Sequence, residues 1–291
     1  MMLRTPALIC DASPDGTSLN AVDFDLAPPE VLDSARRVAE KEYRRNVRKT
    51  NELVSQMVTL YLLAENKDVA IIFNPGGWGW ASVAEMPLWA TILKGMQEVL
   101  EEAGLDVMIT NYLRTKHGPL ALLGETGALL KFSRAKGREL AVRIEHLLCH
   151  RPRLKVIIAG ESNGAAMAED AMRCLYHHPR VFSVQTGTPF WAPSKPHPRS
   201  LIINHNGIEP DTFSSGNVGR CIVANVQALF GRYKGSRGNV LFYIGAPGHV
   251  YTWEYPVVRE KITLFLQQTV VTESFSNDNI ILKEDALCPV K

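Results

Sequence analysis

One serine of this chain stands in a sequence context that can turn its hydroxyl into a nucleophile. Ser162 is the central residue of a Gly-Glu-Ser-Asn-Gly segment that follows an apolar, β-branched run and precedes a helix-forming one. A strand, a tight turn and a helix in this order form a nucleophile elbow with the serine at its tip. Such a turn is crowded, so Gly160 and Gly164 are predicted to be there for steric reasons.

A serine hydroxyl is a weak nucleophile at neutral pH, so it needs a base, and the base needs an acid to orient it. In a parallel sheet these groups follow the carboxyl ends of strands. His249 follows the last predicted strand in a glycine-flanked loop and is the favoured base, with His117 as second choice. Asp211 is the favoured acid because Pro210 stiffens the turn before it, and Glu209 in the same loop is the alternative.

The remaining histidines are predicted to have other roles. His205 follows a strand but precedes the acidic residues, so it is expected to shape its loop. Four more lie on or at the ends of amphipathic helices and are predicted to be surface or structural residues: His146, His150, His177 and His178.

Attack on a carbonyl also needs fixed donors for the negative charge that develops on the oxygen. One predicted donor is the backbone N–H of Asn163, where the helix begins. The other is predicted at Gly76 or Gly77, in an Asn-Pro-Gly-Gly-Trp-Gly loop after an apolar strand, because glycines let the backbone approach a substrate closely. A plain glycine-rich turn is the alternative interpretation of this loop.

The elements that must position these groups alternate along the chain from Asp68 onward. The alternation predicts an α/β fold with a mostly parallel central sheet and helices on both faces. The segment between the strands near 181–185 and 201–204 is short and rich in proline, so it is not expected to form a large helical lid. Apolar runs predict strands at Val69–Phe73, Val107–Asn111, Val156–Ala159, Val181–Gln185, Leu201–Asn204 and Val240–Ile244, and helical patterns lie at 86–103, 135–150, 165–177, 217–233 and 254–270.

We expect one structural domain with two flanking segments. Residues 1–67 are predicted to contain a long basic helix at 28–65 that packs on the core, and residues 271–291 resemble a tail. The basic residues of the helix are balanced by Glu40 and Glu42, which favours a solvated face over contact with an anionic membrane surface.

Composition limits the partners that the chain is expected to have. A hydrophobic content of 46% and a charged content of 21% are ordinary for a globular protein, and a formal net charge of +2 does not favour nucleic acid as a partner. No run of eighteen apolar residues predicts a membrane span, and no motif calls for a metal or an organic cofactor. Scattered cysteines without a C-x-x-C spacing indicate reduced thiols in a cytoplasmic protein: Cys10, Cys149, Cys174, Cys221 and Cys288.

Four motifs in order, NPGGWG, GESNG, NHNGIEPD and GAPGHVYTW, each follow a predicted strand, and with them residues 68–270 resemble the α/β-hydrolase superfamily. The resemblance implies a nucleophile at Ser162, an acid at Asp211 and a base at His249, with oxyanion donors at Asn163 and in the Gly76–Gly77 pair. It implies an esterase-like or lipase-like serine hydrolase. The sequence departs from the superfamily at Asn74-Pro75, where many members have His-Gly, so the register of the second donor stays open.

Aromatic residues on the predicted loops indicate what the substrate carries. Converging aromatic side chains favour a pocket for an apolar acyl or aryl group, although packing of some of them in the core is equally expected. The sequence therefore predicts hydrolysis of a carboxylic ester, thioester or amide through an acyl-enzyme. An acyltransferase with the same residues, or a catalytically silent binding protein on this fold, is the alternative. The predicted pocket residues are Trp78, Trp80, Phe190, Trp191, Tyr251 and Trp253.

Overall fold

The computed structural model describes residues 24–44, 46–77, 79, 81–112, 133–192, 197–241 and 244–272. In these ranges the helices are α1 (Pro29–Tyr43), α2 (Val47–Leu63), α3 (Pro87–Glu102), α4 (Ser133–His150), α5 (Asn163–Cys174), α6 (Val218–Leu229) and α7 (Pro256–Phe265). The strands are β1 (Val69–Asn74), β2 (Val107–Asn111), β3 (Lys155–Glu161), β4 (Val181–Thr186), β5 (Ser200–Ile203), β6 (Arg237–Leu241) and β7 (Ile244–Pro247).

Five strands form one parallel sheet in the order β2-β1-β3-β4-β5, so β1 and β3 lie next to each other near its centre. The residues of β1 and β2 are all buried, as expected for a parallel sheet that is covered on both faces. This confirms the predicted α/β fold class with a mostly parallel central sheet.

Alternate residues of each strand pack into two separate apolar layers, one on each face of the sheet. Ala70, Ile72 and Ile158 point to the layer that includes apolar residues of α4 and α5. Ile71 and Ile157 point to the opposite layer, which includes apolar residues of α3 and α7. Each strand is thus held from both sides, and its carboxyl end becomes a rigid support for the loop that follows it.

The predicted helix over 28–65 is two helices rather than one. Arg44 has a φ of 45°, which ends α1, and the side chain of Asn46 accepts a hydrogen bond from the Lys49 N–H at the start of α2. Asparagine at this position caps a new helix, so the chain turns although the apolar spacing continues. Both helices contact α4. Gln56 of α2 accepts a hydrogen bond from the Arg143 guanidinium, and the carbonyl of Val31 in α1 lies 3.3 Å from His146 Nε2.

The last predicted strand is wrong in its bounds and its partners. Val240 and Leu241 belong to β6 and Ile244 belongs to β7; these two strands pair antiparallel and lie outside the parallel sheet. A continuous apolar run cannot distinguish one buried strand from the two arms of a hairpin, which explains the error. Asn225 of α6 holds the hairpin, because its side chain contacts both the N–H and the carbonyl of Gly245.

Two further features concern the outer surface of the described residues. The outward side of α6 exposes apolar side chains, among them Ile222 and Val223, and Leu229 and Phe230 continue this surface. None of the described helices combines the length and the apolar character that crossing a membrane would require.

Candidate active site

Ser162 is the single residue between a strand and the helix that follows it. The strand β3 ends at Glu161 and α5 begins at Asn163, and Ser162 between them has φ 52° and ψ −119°. Residues other than glycine rarely adopt a positive φ, and where they do the surrounding structure must hold them there. Here the Ser162 N–H donates to the Thr186 carbonyl at 2.9 Å, which ties the turn to the end of β4.

The two glycines of the elbow are required by close backbone contacts, as predicted. A Cβ on Gly160 would lie 2.6 Å from the Gly164 carbonyl oxygen, and one on Gly164 would lie 2.0 Å from the Asn74 carbonyl oxygen. Both distances are shorter than any side chain tolerates. The helix α5 can therefore begin directly against the end of β1 only if these positions lack side chains.

The loop after β1 lies over the elbow. A Cβ on Gly76 would be 3.4 Å from the Ser162 Cβ, and the Asn163 side-chain amide donates to the Gly77 carbonyl at 3.1 Å. The backbone N–H of Asn163 belongs to the first turn of α5, where N–H groups have no acceptor within the helix. The structure thus brings the three residues predicted as oxyanion donors next to the serine: Gly76, Gly77 and Asn163.

His249 and Asp211 form a buried pair. The Nδ1 atom of His249 lies 2.8 Å from Asp211 Oδ2, and the two side chains are 1% and 0% exposed. In this geometry the ring donates its Nδ1–H to the carboxylate, which leaves the Nε2 lone pair free to accept a proton. Glu209, the alternative acid, instead forms an ion pair with Arg220.

Ser162 and His249 each contact the carboxyl end of β4. Thr186 accepts the Ser162 N–H, and a Cβ on the next residue, Gly187, would lie 2.5 Å from His249 Cε1. Ser162 Oγ and His249 Nε2 are both buried, and within the described ranges neither has a hydrogen-bond partner. Buried polar atoms normally have partners, but hydrogen bonds between catalytic groups are often formed only when substrate binds.

Asp211 is held by a network that the sequence does not reveal. Its Oδ1 accepts from the Phe213 and Ser214 N–H groups at 2.8 and 3.1 Å, and its Oδ2 accepts from the Ser214 and Tyr251 hydroxyls, each at 2.8 Å. Burial alone would raise the pKa of Asp211, but the hydrogen bond and charge of His249 and the hydrogen bond of Tyr251 outweigh it and hold the pKa below its usual value. The carboxylate therefore stays ionised beside the ring.

Asn206 joins the loop that carries the acid to the loop that carries the base. Its amide donates to the Gly248 and Val250 carbonyls at 3.1 and 3.0 Å, on either side of His249. Its Oδ1 accepts from the N–H groups of Ile208 and Glu209, each at 2.9 Å. The two N–H partners lie in its own loop, as expected for an asparagine in a turn, whereas the two carbonyls lie in a distant loop that the local sequence does not reveal.

The predicted aromatic pocket residues fall into three groups. The rings of Phe190 and Trp191 are partly exposed, and Phe213 continues them inward: Trp191, Phe213 and His249 follow at centroid distances of 5.0 Å each. Tyr251 is fully buried with its hydroxyl on Asp211, so it supports the acid and does not line a pocket. Of the other pocket predictions, Trp253 is partly buried and packs on the core against Gly95 of α3, and Trp78 and Trp80 lie outside the described residues. His117, the second candidate base, also lies outside them.

Glu161, which precedes Ser162, is a titratable group at the site that the sequence patterns do not predict. Its carboxylate lies beside Gly76, where a Cβ would be 3.2 Å from its Oε2. Burial raises the pKa of Glu161 to about 7, with the Asp211 charge acting in the same direction and His249 opposing it. Two neighbouring carboxyl groups thus have opposite pKa shifts.

This raised pKa predicts how stability depends on pH. A carboxyl group whose pKa is raised on folding lowers the free energy of unfolding of the protein as the pH rises from the unfolded pKa of 4.5 to the folded pKa of about 7. The free energy of unfolding of Glu161→Gln, relative to that of the wild type, should therefore increase by about 1 to 2 kcal/mol between pH 5.5 and pH 8, measured by urea unfolding. The control Glu65→Gln, at an exposed position, should show no such change. A Glu161→Gln difference that is equal at both pH values would contradict the assignment.

Comparison with known proteins adds little to this geometry. No family model and no curated protein matches the chain. Among solved structures, the chain is similar to a Trichoderma reesei cutinase in complex with a C11Y4 phosphonate inhibitor, with 14% sequence identity and a TM-score of 0.39 over 84% of this chain and 92% of that chain. Similarity at this level establishes neither an activity nor a substrate for this chain.

Proposed function

We propose that this protein is a serine hydrolase that cleaves a carboxylic ester, thioester or amide with an apolar acyl or aryl group. The observation that carries the proposal is the position of Ser162, at a positive φ on an elbow, next to the buried His249–Asp211 pair. A strained serine with a base and an ionised acid beside it is an arrangement that nucleophilic catalysis needs and folding alone does not.

The proposed reaction follows from the positions of these groups. His249 Nε2 accepts the proton of the Ser162 hydroxyl as Oγ attacks the substrate carbonyl carbon. The negative charge on the carbonyl oxygen is stabilised by backbone N–H groups of Asn163 and the Gly76–Gly77 loop. The histidine then donates its proton to the leaving group, and a water molecule, activated by the same nitrogen, releases the acid and restores the serine.

An apolar substrate group is supported by the aromatic rings near His249. The line of Phe190, Trp191 and Phe213 extends from partly exposed rings to the imidazole, with neighbouring centroids 5.0 Å apart. Aromatic rings in such an arrangement favour contact with an apolar group over a charged one. We therefore expect kcat/KM to increase with acyl chain length from acetyl to at least hexanoyl.

A series of p-nitrophenyl esters of graded acyl length tests the proposed function, with Phe213→Ala as the specificity variant. The wild type should hydrolyse the series, and Phe213→Ala should reduce the preference for longer chains while Phe230→Ala, an exposed phenylalanine on the α6 surface, leaves it unchanged. Transfer of the acyl group to an added alcohol in preference to water would favour the acyltransferase. Absence of turnover across the series would favour a silent binding protein.

The choice of acid gives a separate prediction. Asp211→Asn should lower kcat/KM by about 10³- to 10⁴-fold. The Phe213 and Ser214 N–H groups would hold the amide oxygen at the Oδ1 position, so the NH2 group would face Nδ1 and favour the wrong tautomer of His249, and the neutral amide would not stabilise the charged ring. Glu209→Gln is the matched control, since its carboxylate pairs with Arg220, and it should stay within about threefold of the wild type. A harmless Asp211→Asn with a severe Glu209→Gln would show that the acid is misassigned.

A further inference from the structure

Three side chains that could bind a metal ion lie close together at a distance from Ser162. Glu145 belongs to α4, and His177 and His178 lie in the turn between α5 and β4. One ligand atom from each of the three residues lies within 4.8 Å of the others. The Nε2 atom of His177 is 3.9 Å from Glu145 Oε1, and the two imidazole rings are 4.5 Å apart between centroids.

His178 is the member of this group that structural packing does not explain. It is 3% exposed, and its Nε2 has no hydrogen-bond partner among the residues that the structure describes. His146 Nδ1 and His150 Nε2 also lack partners among the described residues, but His178 is the one that lies beside two further candidate ligands, Glu145 and His177. Buried polar atoms without a partner are rare in folded proteins, so the His178 ring requires another explanation.

The charged groups near His178 limit how tightly a cation can bind. The positive charges of Arg180 and Arg199 act on the His178 ring. Glu145 supplies the one negative charge of the group, and it is only partly exposed.

We propose that Glu145, His177 and His178 bind one Zn²⁺ ion, with water in the fourth position. Two neutral imidazoles and one carboxylate are a ligand set that zinc accepts. Tetrahedral zinc bonds place neighbouring ligand atoms about 3.3 Å apart, so atoms that lie within 4.8 Å of one another must approach by about 1.5 Å at most. Rotation of His177, which is 39% exposed, and of Glu145 supplies this movement. The two nearby arginines repel a cation, so we expect a dissociation constant in the micromolar range.

The site is independent of the proposed hydrolysis. Ser162 follows the carboxyl end of β3, whereas His178 precedes the amino end of β4, and these two strands run parallel in register. The two positions are thus at opposite ends of neighbouring strands, roughly 20 Å apart for six residues of a β-strand. Zinc here would join the second half of α4 to the turn before β4 and stabilise the fold without changing ester turnover.

Calorimetric titration of the full chain with ZnCl₂, after removal of bound metal with a chelator, tests the proposal. We expect one equivalent to bind, and the melting temperature to rise by about 5 °C when free Zn²⁺ reaches about 100 times its dissociation constant. Glu145→Gln and His177→Ala should each weaken binding at least about tenfold. The matched controls Glu65→Gln and His197→Ala remove a glutamate and a histidine from outside the group and should bind as the wild type does.

Several results would overturn the proposal. Absence of one-equivalent binding up to about 100 µM Zn²⁺ would do so, as would equal affinities for His177→Ala and His197→Ala. Co²⁺ in place of Zn²⁺ gives a second measurement, because a four-coordinate site produces strong visible absorption that His177→Ala should abolish. Ester turnover should be the same with and without Zn²⁺, so a failed zinc titration leaves the hydrolase proposal standing and inactivity towards esters leaves the zinc site standing.

Discussion

Replacing Ser162 with alanine is expected to lower ester turnover by about 10⁶-fold, to the residual rate that substrate binding and oxyanion donors support. The hydroxyl oxygen is the only atom proposed to form the acyl-enzyme, and alanine has no group that can replace it. Initial rates with the best p-nitrophenyl ester measure the loss. Ser236→Ala, at an exposed serine, is the control and should retain wild-type turnover.

The same variant should not lose stability. The Ser162 hydroxyl is buried without a hydrogen-bond partner among the described residues, so its removal relieves a desolvation cost and breaks no contact. Urea unfolding should give Ser162→Ala a free energy of unfolding equal to that of the wild type or about 1 kcal/mol higher. A variant that keeps more than about one per cent of turnover would contradict the role of Ser162 as nucleophile.

The second large effect is expected for His249→Ala, which should reduce turnover about as strongly as Ser162→Ala. The imidazole is the group proposed to accept the serine proton and to protonate the leaving group, so both transfers are lost with it. His205→Ala is the matched control, because His205 is an exposed histidine on the loop after β5 whose Nδ1 accepts from the Gly207 N–H. It should change kcat/KM by less than about threefold.

His249→Ala differs from Ser162→Ala in its effect on stability. It leaves the Asp211 carboxylate buried without the ring that holds its pKa below the usual value. The loss of this charge-assisted hydrogen bond should destabilise the fold by about 1 to 3 kcal/mol at pH 7, measured by urea unfolding. At pH values below the unfolded pKa of aspartate, the difference in free energy of unfolding between His249→Ala and the wild type should diminish. A stable His249→Ala variant with wild-type turnover would contradict both parts of the account.

Local sequence patterns were sufficient to predict the sheet and the elbow. The five parallel strands and the helices that cover them follow from apolar runs alternating with helical spacing, and Gly160 and Gly164 follow from the crowding of a strand–turn–helix corner. These features depend on residues close together in the chain. The break between α1 and α2 was missed because the apolar spacing continues through it, although Asn46 is a capping residue that signals it.

The supports of the site could not be predicted, because they depend on contacts between distant segments. Asn206, Phe213 and the Tyr251 hydroxyl reach the acid and the base only after the loops following β5 and β7 have come together. Tyr251 was predicted in the pocket on loop position alone, and its full burial follows from packing that no local pattern encodes. The raised pKa of Glu161 is likewise a consequence of burial in the folded site.

The most direct test of the central claim is labelling of the folded chain with a fluorophosphonate, followed by peptide mass mapping. Such a reagent reacts only with a serine that a base has activated. The account predicts one phosphonylated residue, Ser162, with no labelling of Ser162→Ala and strongly reduced labelling of His249→Ala. Labelling of a different serine, or none in folded wild-type protein, would contradict the assignment of Ser162 as the activated nucleophile.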